Sequence, residues 1–158
     1  GQSMEWPKAL IERLVRHNLV DNVRGQTNGY RANHVQLAKL TTTVTAVKGD
    51  LVTVTFQGAS RATTAPTWPE KGTFAEVEEH GPHTRGVQTT MYGEATFDKK
   101  AERFTEFELV AAGTRFGQTR YNFRRGDLDV APIAFVIRFD PEDEGRRVAP
   151  AEAGAYGW

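Results

Sequence analysis

From His34 onward, apolar and polar residues alternate two by two, and this period constrains the fold more than any other feature. In Leu51 to Phe56, Val52, Val54 and Phe56 fall on one side and Thr53 and Thr55 on the other. The run from Val35 to Val47 is rich in Thr and Val, residues suited to a pleated surface. Lys48-Gly49-Asp50 between the two runs is a turn signal, so they predict a hairpin.

A second hairpin is expected downstream. Val87 to Phe97 forms its first strand, Asp98 to Glu102 its turn, and Arg103 to Ala112 its return, with Phe107, Leu109 and Ala111 on one face. Pro132 to Phe139 is apolar on both sides, which predicts a central strand or one inside a closed sheet. Strands joined by short turns pair with their sequence neighbours, antiparallel. The expectation is a mainly β (α+β) domain: an antiparallel meander curved into a half or complete small barrel.

The amino end keeps a different period. Trp6, Leu10 and Leu14, then Ile11, Val15 and Leu19, recur at helical spacing, with Lys8, Glu12, Arg13 and Arg16 outside the stripe. This predicts an amphipathic helix over 4–20, with Ser3 as N-cap, Glu5 near the positive end and Pro7 inside the first turn. The helix is expected to cover one face of the sheet or plug one end.

The 158 residues suffice for one domain, divided into helix 4–20, a β-rich body over 34–140 and an extended tail over 141–158. In the tail, Tyr156 and Trp158 are expected to pack back onto the body. Gly1-Gln2-Ser3 ahead of Met4 suggests a natural chain that is longer at the amino end. No targeting segment is recognisable, which leaves the compartment open. No stretch is apolar enough to cross a membrane, so a soluble domain is expected. Lys and Arg number 20, and so do Asp and Glu, which argues against a globally basic nucleic-acid binder. The absence of cysteine excludes disulfides, thiolate metal sites and cysteine nucleophiles.

Several stretches resemble one another's counterparts in a known group: Leu19 to Gly25, Gly93 to Phe97-Asp98, Phe107 to Gly113, and Ala131 to Phe135. Together they resemble an uncharacterised bacterial domain found within larger chains. The resemblance carries no chemical signature. It implies only that the domain is a module of a longer protein.

Three constellations could carry chemistry. Residues 62–84 hold Pro66, Pro69, Pro82, Gly72 and Gly81, a long connection of the kind that is often functional. Trp68, clamped by Pro66 and Pro69, is a rigid contact for a ligand or partner, or else a lid folded onto the core. In the same loop His80 and His83 stand three apart beside Glu79, a pair that could grip a divalent metal. Arg115, Phe116, Arg120, Tyr121, Phe123, Arg124 and Arg125 interleave cations with rings, as single-strand binders do over 115–125. From Gly126 onward acidic residues outnumber basic ones and can neutralise that patch. Glu106 and Glu108 would matter as a carboxylate pair only on an enclosed face, and the pattern favours the wet one.

No phosphate loop, dinucleotide fingerprint, nucleophile elbow or calcium loop is present. The expectation is therefore a non-catalytic module that binds a small ligand or a protein partner. It would bind through the concave sheet face or the 62–84 loop, with Trp68, Arg115, Phe116, Arg120 and Tyr121 as contacts. The alternatives are a metal protein using His80 and His83, and a single-strand nucleic-acid binder. Neither cofactor nor oligomeric state is legible.

Overall fold

A computed structural model describes residues 1–70 and 84–140. The elements are β1 (Ser3–Glu5), α1 (Lys8–His17), a single 3-10 turn (Ala32–His34), β2 (Val35–Lys48), β3 (Leu51–Thr63), β4 (Arg85–Asp98), β5 (Arg103–Gly117) and β6 (Ala131–Arg138). All six strands lie in one antiparallel sheet in sequence order, a meander. Both expected hairpins are present, with Gly49 at φ 62° in the first turn and Glu102 at φ 53° in the second.

The sheet is open. Its two ends are β1 and β6, which do not pair with one another, so a complete barrel is not formed. Among the described residues β6 pairs only with β5, so it lies at the sheet's edge rather than in the central place its two-sided apolarity suggests.

The helix is shorter than its apolar stripe. Ser3–Glu5 is extended and pairs with Thr41–Thr43 of β2, so Ser3 is no N-cap and Glu5 is no first-turn acid. Pro7 decides this. A residue before proline is pushed out of helical backbone, and Pro7 itself is extended at φ −53°, ψ 132°. Trp6 N–H instead donates to Leu40 O at 2.9 Å, and Trp6 Nε1 donates to Thr42 Oγ1 at 2.6 Å. Helix α1 then runs ten residues and stops at His17.

Register places Leu40, Val54, Phe56, Met91, Ala95, Leu109, Ala111 and Ile133 in one buried cluster with Ile11 and Val15 of α1. The face that carries this cluster is the inner face. Helix α1 packs on its β2 and β3 portion. Each large side chain buried there contributes roughly 1.5–3 kcal/mol of transfer free energy. Trp6, Phe56, Phe107, Phe104 and Phe97 continue the cluster as a chain of ring contacts, with centroids 5.2–5.8 Å apart. The opposite, outer face is Thr-rich and carries Glu106 and Glu108, both exposed.

Candidate functional site

Because α1 leans towards β2 and β3, the β5–β6 side of the inner face is left partly open. Between the two lies a groove of about 230 Å³. Its walls are Trp6, Leu10 and Leu14 on the helical side and Phe107, Leu109 and Ile137 on the sheet side, with Arg13 and Asn18 also lining it. Leu10 is 47% exposed although it belongs to the apolar stripe. The spacing of Trp6, Leu10 and Leu14 made the stripe visible in the sequence. That part of it borders a groove, while Ile11 and Val15 seal the core, was decided by the tilt of the helix.

The opposite end of the inner face carries charge. Arg85 on β4 and Arg115 on β5 project there, beneath the segments 18–31 and 118–130. Arg115 is 2% exposed, and its Nη2 stands 2.6 Å from Asp127 Oδ2. Arg124 grips Asp21 with two bonds, Nε to Oδ2 at 2.8 Å and Nη2 to Oδ1 at 2.9 Å. Arg124 Nη1 also donates to Asp127 Oδ2 at 2.8 Å, and Arg24 reaches Asp127 from outside at 3.0 Å. The hydrogen bond from Arg115, then that from Arg124, hold the Asp127 carboxyl below its usual pKa of 3.8, against the effect of burial. The bond to Asp21 is the main reason the Arg124 pKa is raised.

Arg85 is held differently. Its Nη2 donates to Asn28 O at 2.6 Å and Gly29 O at 3.2 Å, and its guanidinium lies 4.4 Å from the centroid of the Tyr30 ring. Burial lowers the Arg85 pKa and pushes the Tyr30 phenol up to about 12. The 18–31 segment can lie this close to the helix because residue 29 is glycine. A Cβ there would stand 2.6 Å from Arg16 O. Tyr30 N–H donates to that same carbonyl at 2.9 Å.

The five expected ligand contacts do not share a surface. Arg115 faces inward within the ion network, while Phe116 faces outward and is 1% exposed. Trp68 folds back edge-on against Phe116, with centroids 4.9 Å apart, and Arg61 lies 5.7 Å from the Trp68 ring. Trp68 is thus a lid over a small second core of Ala65 and Phe116, joined by Val130. Arg120 and Tyr121 are exposed and stack on one another at 5.6 Å. His80, His83 and Glu79 lie outside the described residues, as does the tail over 141–158. Among the described residues, no group of three His, Cys, Asp or Glu side chains is placed to hold a metal. No helix among them is long and apolar enough to cross a membrane.

Nothing in the sequence singles out Asp21, Asp127 and Arg85 as site residues. Asp21 and Asp127 sit in polar stretches and look like surface carboxylates. The one available signal was Asp127 beside an arginine-rich run, with no indication that Asp21 would cross 103 residues to meet Arg124. Compared with known proteins, the chain matches no family model, no curated protein and no solved structure.

Proposed function

We propose that this domain is a non-catalytic binding module of a larger protein, and that it takes a small apolar ligand, or the apolar end of a longer one, in the groove between α1 and β5–β6. In this proposal the sheet is a half barrel whose concave side is the inner face. Register shifts at Val35/Leu37, Val44/Ala46 and Thr96/Phe97 support that curvature, since bulges increase local twist.

One observation carries the proposal: an open groove walled by Trp6, Leu10, Leu14, Phe107, Leu109 and Ile137 on the helix-covered face. Its volume of about 230 Å³ is below the roughly 300–1,000 Å³ of drug-sized sites, which favours a small ligand. The arginine cluster supports no second reading as a phosphate-tracking strip. Arg115 and Arg124 are spent on Asp21 and Asp127 inside the fold. Trp68 of the 62–84 connection packs in the outer core rather than in this groove.

The test is a titration with medium-chain alkanols, followed by tryptophan emission in a Trp68→Phe, Trp158→Phe background and by isothermal calorimetry. The expected result is saturable binding that a Leu10→Gln variant weakens about tenfold, with the thermal midpoint nearly unchanged because Leu10 is half exposed. Failure of every apolar probe to bind the folded domain overturns the reading, as does turnover of any bound compound.

A further inference from the structure

The two edges of the sheet are treated differently. The β2 edge is covered by β1, and Val44 N–H donates to Gln2 O while Trp6 N–H donates to Leu40 O. The β6 edge has no strand beside it among the described residues. Phe139 N–H donates to Phe107 O at 3.0 Å, and the register continues from Glu108↔Arg138 to Arg115↔Ala131. In an antiparallel ladder, successive residues point their backbone groups to alternate sides. The odd residues 133, 135, 137 and 139 therefore address β5, and Pro132, Ala134, Val136 and Arg138 address the open edge. Proline at 132 fits this, since its missing N–H would have pointed outward.

Natural edges are usually guarded by charge, proline, a bulge or brevity, and β6 carries such residues only near its ends, at Pro132 and Arg138. β6 has no charged residue between Ala131 and Ile137 and no register shift, and Val136 is 56% exposed. We propose that this edge pairs with the β6 edge of a second copy of the chain, antiparallel about a twofold axis through Phe135, joining two sheets into one.

Self-pairing suits this strand. Antiparallel pairing of identical strands is symmetric and closes on itself, so it gives a dimer rather than a fibre. With the axis at Phe135, each outward N–H meets an outward carbonyl: Ala134 to Val136 of the partner, Val136 to its Ala134, and Arg138 to its Pro132. The ladder ends where Pro132 has no donor to offer. Side chains match as well. Ile133 meets Ile137 and Phe135 meets Phe135 on the inner face, and Ala134 meets Val136 on the outer. Charge fits the same direction. Each Arg138, ion-paired with Glu108 of its own strand pair, then lies at the opposite end of the ladder from its counterpart. A parallel arrangement would set Arg138 against Arg138. This proposal is independent of ligand binding in the groove.

The experiment measures the mass of the full chain by sedimentation over roughly 1–200 µM, because an edge ladder this short implies a weak dimer. A concentration-dependent dimer is expected. Val136→Lys is expected to weaken it at least tenfold, while Tyr92→Lys, on the outer face of a central strand, leaves it intact. The chain has no cysteine, so Phe135→Cys reports the register directly. Non-hydrogen-bonded partners stand about 4.5 Å apart, within disulfide reach. That variant is expected to form an intermolecular disulfide on mild oxidation. Ala134→Cys with Val136→Cys, mixed as two separate exposed-site variants, is expected to cross-link as a heterodimer should Phe135→Cys fail to fold. A monomer at every concentration overturns the proposal. So does a dimer indifferent to Val136→Lys, or a dimer that forms only after removal of residues 141–158, which would assign the edge to the chain's own tail.

Discussion

Arg124 and Asp21 meet as a two-bond pair, Nε to Oδ2 at 2.8 Å and Nη2 to Oδ1 at 2.9 Å, with both side chains 7% exposed. They come from two segments over the inner face of the sheet, and their contact ties the turn after α1 to the loop before β6. A pair this enclosed is costly to break on one side only, since the surviving charge stays buried. Asp21→Asn or Arg124→Ala is expected to lower unfolding free energy by about 3–5 kcal/mol. A double variant, Asp21→Asn with Arg124→Met, is expected to lose less than the sum of the singles. Urea denaturation of the three variants measures both quantities.

The outer core depends on a missing side chain. A Cβ at Gly86 would stand 2.3 Å from Phe116 Cε1 and 2.8 Å from Trp68 Cζ3, two rings already packed edge to face. Both rings belong to the small core that contains Ala65. Gly86→Ala is expected to cost about 1–3 kcal/mol by overpacking and to change Trp68 fluorescence. Stability unchanged by the substitution would mean that Trp68 does not rest there.

Ring for ring, position in the cluster sets the cost of truncation. Phe56 is 3% exposed and touches both Trp6 and Phe107, whereas Phe104 is 39% exposed at the rim. Phe56→Ala is expected to cost about 3–5 kcal/mol, and Phe104→Ala a small fraction of that. Thermal midpoints of the two variants give the comparison.

Acidification is expected to destabilise the fold in two stages. Burial, then Arg16 and Arg13, lower the His17 pKa below 6.5, and burial with Arg31 and Arg85 lowers that of His34. A lowered folded pKa means that the neutral imidazole is favoured in the native state. Stability from these groups is therefore complete above pH 6.5 and is lost as pH falls through the folded values. The Asp127 pKa is held below 3.8, chiefly by Arg115, so its contribution persists to lower pH and is lost below 3.8. Denaturation midpoints at pH 7.5, 5.5 and 3 follow this course. His17→Gln is expected to reduce the first drop and leave the second.

The strands and both hairpin turns were legible in the chain because a two-residue period over fourteen positions leaves little choice of register. Flipping it would send Val54, Phe56, Met91 and Leu109 to the wet face. The helix was legible in its stripe but not in its start, since Trp6 keeps helical spacing with Leu10 while its backbone is claimed by Leu40. The sequence around Trp68 is compatible with either a ligand contact or a lid, and its packing on Phe116 makes it a lid. The ion network was illegible, because a carboxylate in a polar turn carries no local sign that an arginine 103 positions away will bury it.

The sequence by itself determined an antiparallel meander with an apolar helix stripe and no cysteine chemistry, through periodicity and turn residues that act within a few positions of each other. Only the tertiary structure decided that the sheet stays open, that β6 lies at its edge, that Arg115 turns inward while Phe116 turns outward, and that part of the helix stripe borders a groove. Those outcomes depend on how long strands twist and where the helix axis comes to rest, and no local pattern encodes either.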